Sequence, residues 1–188
     1  MKFEDLEHII RASAALLDDQ GLLDPDQQEF VVIGSAAILV LAYDYSLPAM
    51  ATRSDEADVV PPNDPDGTKA TIIEAVLGEL SPFHDANGYY AQGVGEDTAW
   101  LPSGWRDRAI HFEAPSILVS GHGLAIERHD LAASKLAAGR PKDFEFVDAL
   151  IAAGILDVPT IRERLDAIPP GPGRPAKIAA ARKWLNDR

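Results

Sequence analysis

The stretch EFVVIGSAAILVLAY, residues 29–43, changes character at its centre. From Phe30 to Ile33 the residues are aromatic or β-branched, as a buried strand requires; from Ala36 onward they shift to helix formers. Gly34-Ser35 stands between the two as a turn pair, so the segment reads as strand, tight turn, helix. A strand running straight into a helix in this way exposes backbone N–H groups and the Ser35 hydroxyl at the helix start, an arrangement suited to a phosphate. Gly34 would let the backbone approach that ligand. The plainer reading of the same pair is a strand-to-helix connection with Ser35 as its N-cap.

Twenty-odd residues downstream lies ATRSDEADVVPP, residues 51–62. A second strand is expected at about 54–60, ended by Pro61-Pro62, which cannot continue a central ladder. Side chains alternate across a strand, so Ser54, Glu56 and Asp58 share one face, and Asp55, Ala57 and Val59 the other. Two strand residues of rise separate Glu56 from Asp58 by about 7 Å at the backbone, from which their carboxylates can converge on Mg²⁺ or Mn²⁺. Acidic residues near a strand end are, in the plainer reading, simply solvated.

Working outward, Phe3, Leu6, Ile9, Ile10, Ala14 and Leu17 recur at helical spacing, and Ile72, Ile73, Val76, Leu77 and Leu80 give a second helix over 66–80 with Asp66 or Thr68 as its cap. Between 83 and 127 the short apolar runs GYYAQGV, TAWL, RAIHFE, SILVS and LAIE read as strands. From His129 onward four helical segments are separated by Gly139-Arg140-Pro141, Gly154 and the hinge PPGPGRP. The expected organisation is an α/β part over residues 1–128 and a helical part over 129–188.

Composition narrows the chemistry. The chain has 188 residues and no cysteine, so disulfides, thiolate zinc sites and a cysteine nucleophile are excluded, and any metal must sit on oxygen or imidazole. A formal charge of −13 opposes extended wrapping by DNA or RNA. The basic C-terminal stretch RPAKIAAARKWLNDR still leaves room for a local cationic surface. No apolar run approaches a membrane span, and the N-terminal MKFEDLEHII carries acids where a signal peptide carries bases, so a cytoplasmic location is expected.

The block HDLAASKLAAGRPKDFEF, residues 129–146, gathers cations in this acidic chain. Asp130 and Lys135 are read on nearby helix faces, with Arg140, Lys142 and Asp143 at the following turn. Lys135 and Arg140 are the candidate phosphate contacts, Lys142 a further one, and Asp143 the group that orients a cation. A salt-bridged pair of helices is the alternative.

VVIGSAAILV followed by RSDEADVV resembles the Gly-Ser and Asp-x-Asp motifs of the DNA polymerase β-type nucleotidyltransferase superfamily, in particular its minimal bacterial members related to the AbiEii and MenT toxins. Residues 81–108 and 127–154 are similar to an uncharacterised bacterial branch of that group, and the likeness covers roughly residues 28–155. It implies an α/β (α+β) fold, a nucleotidyltransferase-like mixed sheet flanked by helices with a C-terminal helical part. It further implies Mg²⁺ or Mn²⁺ on Glu56 and Asp58, an NTP held by Gly34, Ser35, Lys135, Arg140 and Lys142, and catalysis by Glu56, Asp58 and Lys135. Glu56 stands where the superfamily usually has Asp. The activity implied is transfer of NMP to a hydroxyl of a protein, RNA or small molecule, within or outside a toxin and antitoxin pair. A nucleotide- or partner-binding protein on the same scaffold is the alternative.

The third carboxylate that completes such a site is not singled out by the sequence: Glu113 and Asp85 have plausible surroundings, and the plainer reading of each is a surface residue. His84 beside Asp85 is a possible proton carrier or a structural residue, while His122 and His129 lack zinc-ligand spacing. Tyr89, Tyr90, Trp100 and Trp105 are possible base-stacking groups or core. Ser35 lacks the x-Ser-x-Gly elbow of a hydrolase triad.

Overall fold

The computed structural model describes residues 1–188 apart from 25, 27, 118 and 120. Five strands, β1 (Glu29–Ile33), β2 (Glu56–Val60), β3 (Tyr90–Gly93), β4 (Ile110–Ala114) and β5 (Gly121–Ala125), form one mixed sheet in the order β3-β2-β1-β5-β4. β1 lies at the centre, antiparallel to β2 and parallel to β5, which is why its residues Phe30 to Ile33 are all buried and read as an unbroken apolar run. β3 joins β2 in parallel and β4 joins β5 antiparallel, so β3 and β4 are the two edges. The fold is thus α/β, a mixed sheet flanked by helices with further helices at the C-terminus.

Helix α1 (Phe3–Asp19) buries Leu6, Ile9, Ile10, Ala14 and Leu17, the stripe that its spacing predicts, against β4, β5 and α3 (Thr68–Leu77). After Gly34 the chain turns into a 3₁₀ helix, Ser35–Leu41, and not the expected α-helix. The tighter winding keeps Ala36, Ala37, Ile38, Leu39 and Leu41 buried, on more than one side, between α1, the sheet and α6 (Arg128–Ala138). A short α2 (Ala49–Thr52) then leads into β2, which begins at Glu56, two residues after the predicted start. Helix α3 starts within the predicted range but is capped differently. Asp66 accepts from the Thr68 N–H at 3.2 Å, while Asp64 takes the Lys69 and Ala70 N–H groups at 2.9 Å each and Thr68 caps nothing.

Helix α4 (Pro82–Asn87) precedes β3, and α5 (Trp105–Arg108) precedes β4. TAWL is not a strand. A 3₁₀ turn, Glu96–Thr98, ends in it, and Ala99 and Trp100 then run as irregular chain beside a cavity. SILVS includes residues 118 and 120, which lie outside the described residues. The adjoining strand β5 opens on Gly-His-Gly, a poor strand former by propensity. A Cβ at Gly121 would stand 2.7 Å from Ile10, and one at Gly123 would stand 2.1 Å from the Phe112 ring. Close packing of α1 and β4 selects these residues in place of the β-branched ones that a sequence reading looks for.

The C-terminal helices α6, α7 (Pro141–Ala152), α8 (Val158–Asp166) and α9 (Arg174–Leu185) assemble around α6, which is buried from His129 through Ala137. One hydrophobic cluster includes residues from Phe3 in α1 to Leu185 in α9. Asp130 and Lys135 do not share a face of α6, since five residues turn a helix by about 500°, leaving them roughly 140° apart. Asp130 is fully buried and accepts both Nε and Nη2 of Arg108 at 2.9 Å, with Arg164 Nε 3.2 Å from Oδ1, the oxygen that also accepts Arg108 Nη2. It therefore ties α5, α6 and α8 together. Replacing Asp130 with Ala leaves two guanidinium groups without their shared anion and is expected to cost about 3 kcal/mol or more in a urea titration. The same change at Asp148, whose ion pair with Arg188 is exposed, is expected to cost under about 1 kcal/mol.

Candidate active site

The antiparallel pairing of β1 with β2 sets Ile33 opposite Asp58, so the residue after β1 meets the Asp58 side chain. That residue is Gly34, at φ 75° and ψ −165°, a conformation open essentially to glycine alone. A Cβ there would lie 1.9 Å from Asp58 Oδ2. Glycine is thus required twice, for the turn and for the carboxylate that rests on it. Gly34 occupies the N-cap position of the 3₁₀ helix, and no side chain caps it. The Ser35 hydroxyl makes no hydrogen bond among the described residues and lines the cavity in front of the turn.

That cavity, about 840 Å³, collects Gly34, Ser35, Ser54, Glu56, Asp58, Lys135, Arg140, Lys142 and Asp143. Glu56 and Asp58 sit on one face of β2, as alternation predicts, with Ala57 and Val59 fully buried behind them. Burial, and after it the neighbouring Glu56 carboxylate, push the Asp58 carboxyl up from 3.8 to about 6, against the pull of Lys135. The parallel register of β2 and β3 places Tyr90 beside Glu56 and Gln92 beside Asp58. Tyr90 donates its hydroxyl to Glu56 Oε2 at 3.1 Å. With its amide nitrogen facing the carboxylates, Gln92 donates to Glu56 Oε1 at 2.9 Å and Asp58 Oδ1 at 3.2 Å.

The opposite wall comes from the α6–α7 junction. Gly139 ends α6 in the left-handed conformation, and Arg140-Pro141 opens α7 at once, so the last turn of one helix and the first of the next share a corner. Asp143 is buried in that corner. It accepts Nε and Nη2 of Arg140 at 2.7 and 3.0 Å and the Arg140 N–H at 3.3 Å, and it lies 3.5 Å from Lys135 Nζ. Lys135 is itself buried, its ammonium 4.7 Å from the centre of the Phe146 ring. Burial lowers its proton affinity and Asp143 opposes the change. The two helices are thus salt-bridged through Asp143 in the first turn of α7, as the alternative reading has it, with Lys135 as a buried member of the cluster. Arg140 is more than half exposed, and Lys142 has no acidic partner among the described residues.

Several expected residues stand elsewhere. Glu113, on edge strand β4, pairs with His122 at 2.8 Å, and Asp85 is exposed on α4; neither lines the cavity. His84 accepts the Leu80 N–H at 3.0 Å through Nδ1 and packs on Tyr90, a structural role. His129 joins Glu127 to Asp157, clamping α6 to the start of α8. Tyr89 bonds His8 and Trp105 is buried core, whereas Trp100 lines the cavity. The residues that sequence reasoning missed are Gln92, Arg53 and Lys177. Lys177, from α9, donates to the Ala138 carbonyl at 3.0 Å and lies over Trp100 beside Arg174. Only the strand register marks Gln92, and only helix packing brings in Lys177.

Among the described residues no group of three or more His, Asp or Glu is arranged to hold a metal ion. The donors that the cavity does provide are two converging carboxylates, of which Asp58 is held protonated to higher pH by burial and by the charge of Glu56, an oxygen set suited to a hard divalent cation. No helix among the described residues is long and apolar enough to cross a membrane. The model of a protein family described as a nucleotidyltransferase of unknown function (DUF6036) matches residues 8–169, and the chain belongs to that family. No curated protein and no solved structure gave a match.

Gly34→Ala is expected to lose stability through both φ strain and contact with Asp58, while Gly21→Ala, at φ 65° in open space, carries the φ cost alone. Denaturant midpoints should separate the two by at least about 1 kcal/mol. The raised Asp58 carboxyl also has a pH signature. Because the folded state holds its proton more tightly than the unfolded state, its contribution is fully present below pH 3.8 and is lost as the pH rises through about 6. In metal-free buffer, the stability of the wild type relative to Asp58→Asn should therefore fall across that window, as read from urea midpoints at stepped pH.

Proposed function

We propose that the protein is a Mg²⁺- or Mn²⁺-dependent nucleotidyltransferase that moves NMP from an NTP to a hydroxyl of a protein, RNA or small molecule. The observation that carries the reading is the convergence in one cavity of a Gly-Ser turn, a carboxylate pair and a cationic helix corner from separate parts of the chain. In this reaction the acceptor hydroxyl oxygen bonds to the α-phosphorus and its proton passes to solvent, the bond from the α-phosphorus to the bridging β-phosphate oxygen breaks, and pyrophosphate leaves. Glu56 and Asp58 would hold the divalent ion, which supplies Lewis-acid stabilisation of the phosphate charge. Ser35 offers its unengaged hydroxyl, and the Gly34 backbone leaves space, for the triphosphate. Lys135, steadied by Asp143 and Phe146, presents a fixed cation from the opposite wall, and Arg140 and Lys142 add charge nearer the opening.

The toxin role in a toxin and antitoxin pair rests on the likeness of the Gly34-Ser35 and Glu56-x-Asp58 motifs to the AbiEii and MenT branch. Growth arrest on expression, relieved by Asp58→Ala, is its test. The second reading, a nucleotide-binding protein without turnover, is favoured by one feature: neither Glu113 nor Asp85 stands in the cavity to complete the carboxylate set.

Incubation with each of four α-labelled NTPs, Mg²⁺ or Mn²⁺ and cell extract should transfer label to an acceptor, and Glu56→Ala or Asp58→Ala should abolish it. Binding of NTP and metal with no transfer under any condition would favour the second reading. Lys135→Met and Arg140→Met should each lower triphosphate affinity by about tenfold or more in isothermal titration, the worth of a charge-assisted contact. A thermal melt of each variant separates this from loss of fold, and unchanged affinity in both would remove the cationic wall from the site.

A further inference from the structure

The edge strand β3 contributes one side chain to the carboxylate pair that its sequence does not advertise. Gln92 lies beside Asp58 in the parallel ladder, and one heteroatom of its terminal amide is 2.9 Å from Glu56 Oε1 and 3.2 Å from Asp58 Oδ1. Three polar atoms thus meet at one point in front of β2. Without a cation the amide must present its NH₂ group, because a carbonyl oxygen facing two carboxylate oxygens finds no proton. With a cation between them the requirement inverts, and the carbonyl oxygen is the end that fits. Rotation of the terminal amide by half a turn exchanges the two ends without moving the rest of the side chain, and this torsion in Gln is broad. Tyr90 engages Glu56 Oε2 and leaves Oε1, the oxygen nearest Gln92, for the ion.

Resting on the metal-dependent reading above, we propose that Gln92 is a third, neutral oxygen ligand of the cation site, its amide turning over when the ion enters. Two carboxylates and a neutral amide carry a formal charge of −2, which matches one divalent ion. The position beside the pair is filled by an oxygen donor without adding a third negative charge to a partly buried site. The strand register thus puts an amide, and not a third acid, beside the pair, while the other acids that line the cavity, Asp143 and Glu145, come from α7 on the opposite wall.

The test is Mn²⁺ binding by the full chain, followed by electron paramagnetic resonance of the free ion, with and without inorganic tripolyphosphate. Wild type should bind one Mn²⁺, Gln92→Leu should bind it on the order of tenfold more weakly, and Gln92→Glu should bind it more tightly than wild type. Mg²⁺ should also shift the side-chain NH₂ resonances that are missing from the spectrum of Gln92→Glu, as those protons leave the carboxylates. If Gln92 serves only as a donor that clamps the carboxylates, Gln92→Leu removes a competitor and binds Mn²⁺ as well as or better than wild type, which would overturn the inference. Should Gln92→Leu fail to fold, Gln92→Glu decides it, since unchanged or weaker binding there is equally fatal. Wild type that binds no Mn²⁺ even with tripolyphosphate would overturn the metal-dependent reading itself, whereas binding insensitive to position 92 overturns the ligand role alone.

Discussion

The contact between the Gly34 backbone and the Asp58 carboxylate is the constraint on which the site depends. It joins the end of the central strand to the middle of its antiparallel neighbour at a distance that admits no side chain. Because the backbone gives way there, Asp58 can lie against the turn and share a cavity with Ser35, and Glu56 follows two residues earlier on the same face. The price in conformational freedom falls on a single glycine. In return, a carboxylate is held in a partly buried place where its charge is costly, which is the condition for recruiting a cation.

The second organising feature is the burial of a helix that carries charge on two sides. Asp130 and Lys135 are both nearly inaccessible on α6, yet they serve different purposes because they point apart. Asp130 collects Arg108 and Arg164 and fixes the helical layers, while Lys135 faces the cavity with Asp143 behind it. Burying either charge without its partners would cost several kcal/mol, so each is anchored by at least one group of opposite sign. The consequence is a rigid ammonium opposite the carboxylates, held by packing on Phe146 as well as by charge.

This arrangement explains how a chain of net charge −13 gathers cations around one cavity. Arg53, Lys135, Arg140, Lys142 and Lys177 line a cavity whose acids are Glu56, Asp58, Asp143 and Glu145. Asp143 is already engaged by Lys135 and Arg140, so the local balance runs against the acidity of the chain as a whole. Lys177 belongs to α9, which follows the family match to residues 8–169, so the cavity wall includes a contribution from beyond that segment. Its ammonium bonds the last carbonyl of α6 and rests on Trp100, closing one end of the wall.

Short-range pattern was sufficient for much of this. The strand at Phe30–Ile33, the turn at Gly34-Ser35, the shared face of Glu56 and Asp58 and the amphipathic stripe of α1 follow from alternation, helical period and turn chemistry, all properties of neighbouring residues. The α6–α7 corner was likewise legible, because Gly139-Arg140-Pro141 punctuates it and Asp143 sits in the first turn beyond. What neighbouring residues could not decide was who stands next to whom across the sheet and between helices. Register placed Gln92 beside Asp58 and sent Glu113 to the far edge with His122. Packing made glycines the right residues for β5, wound residues 35–41 into a 3₁₀ helix, and turned Asp130 away from Lys135. The sequence by itself determined the central strand, the long amphipathic helices and the carboxylate pair, since their periods are fixed by backbone geometry. Tertiary structure alone decided the remaining neighbours of that pair, because strand order and helix packing minimise the free energy of the whole core and leave no signature in any one segment.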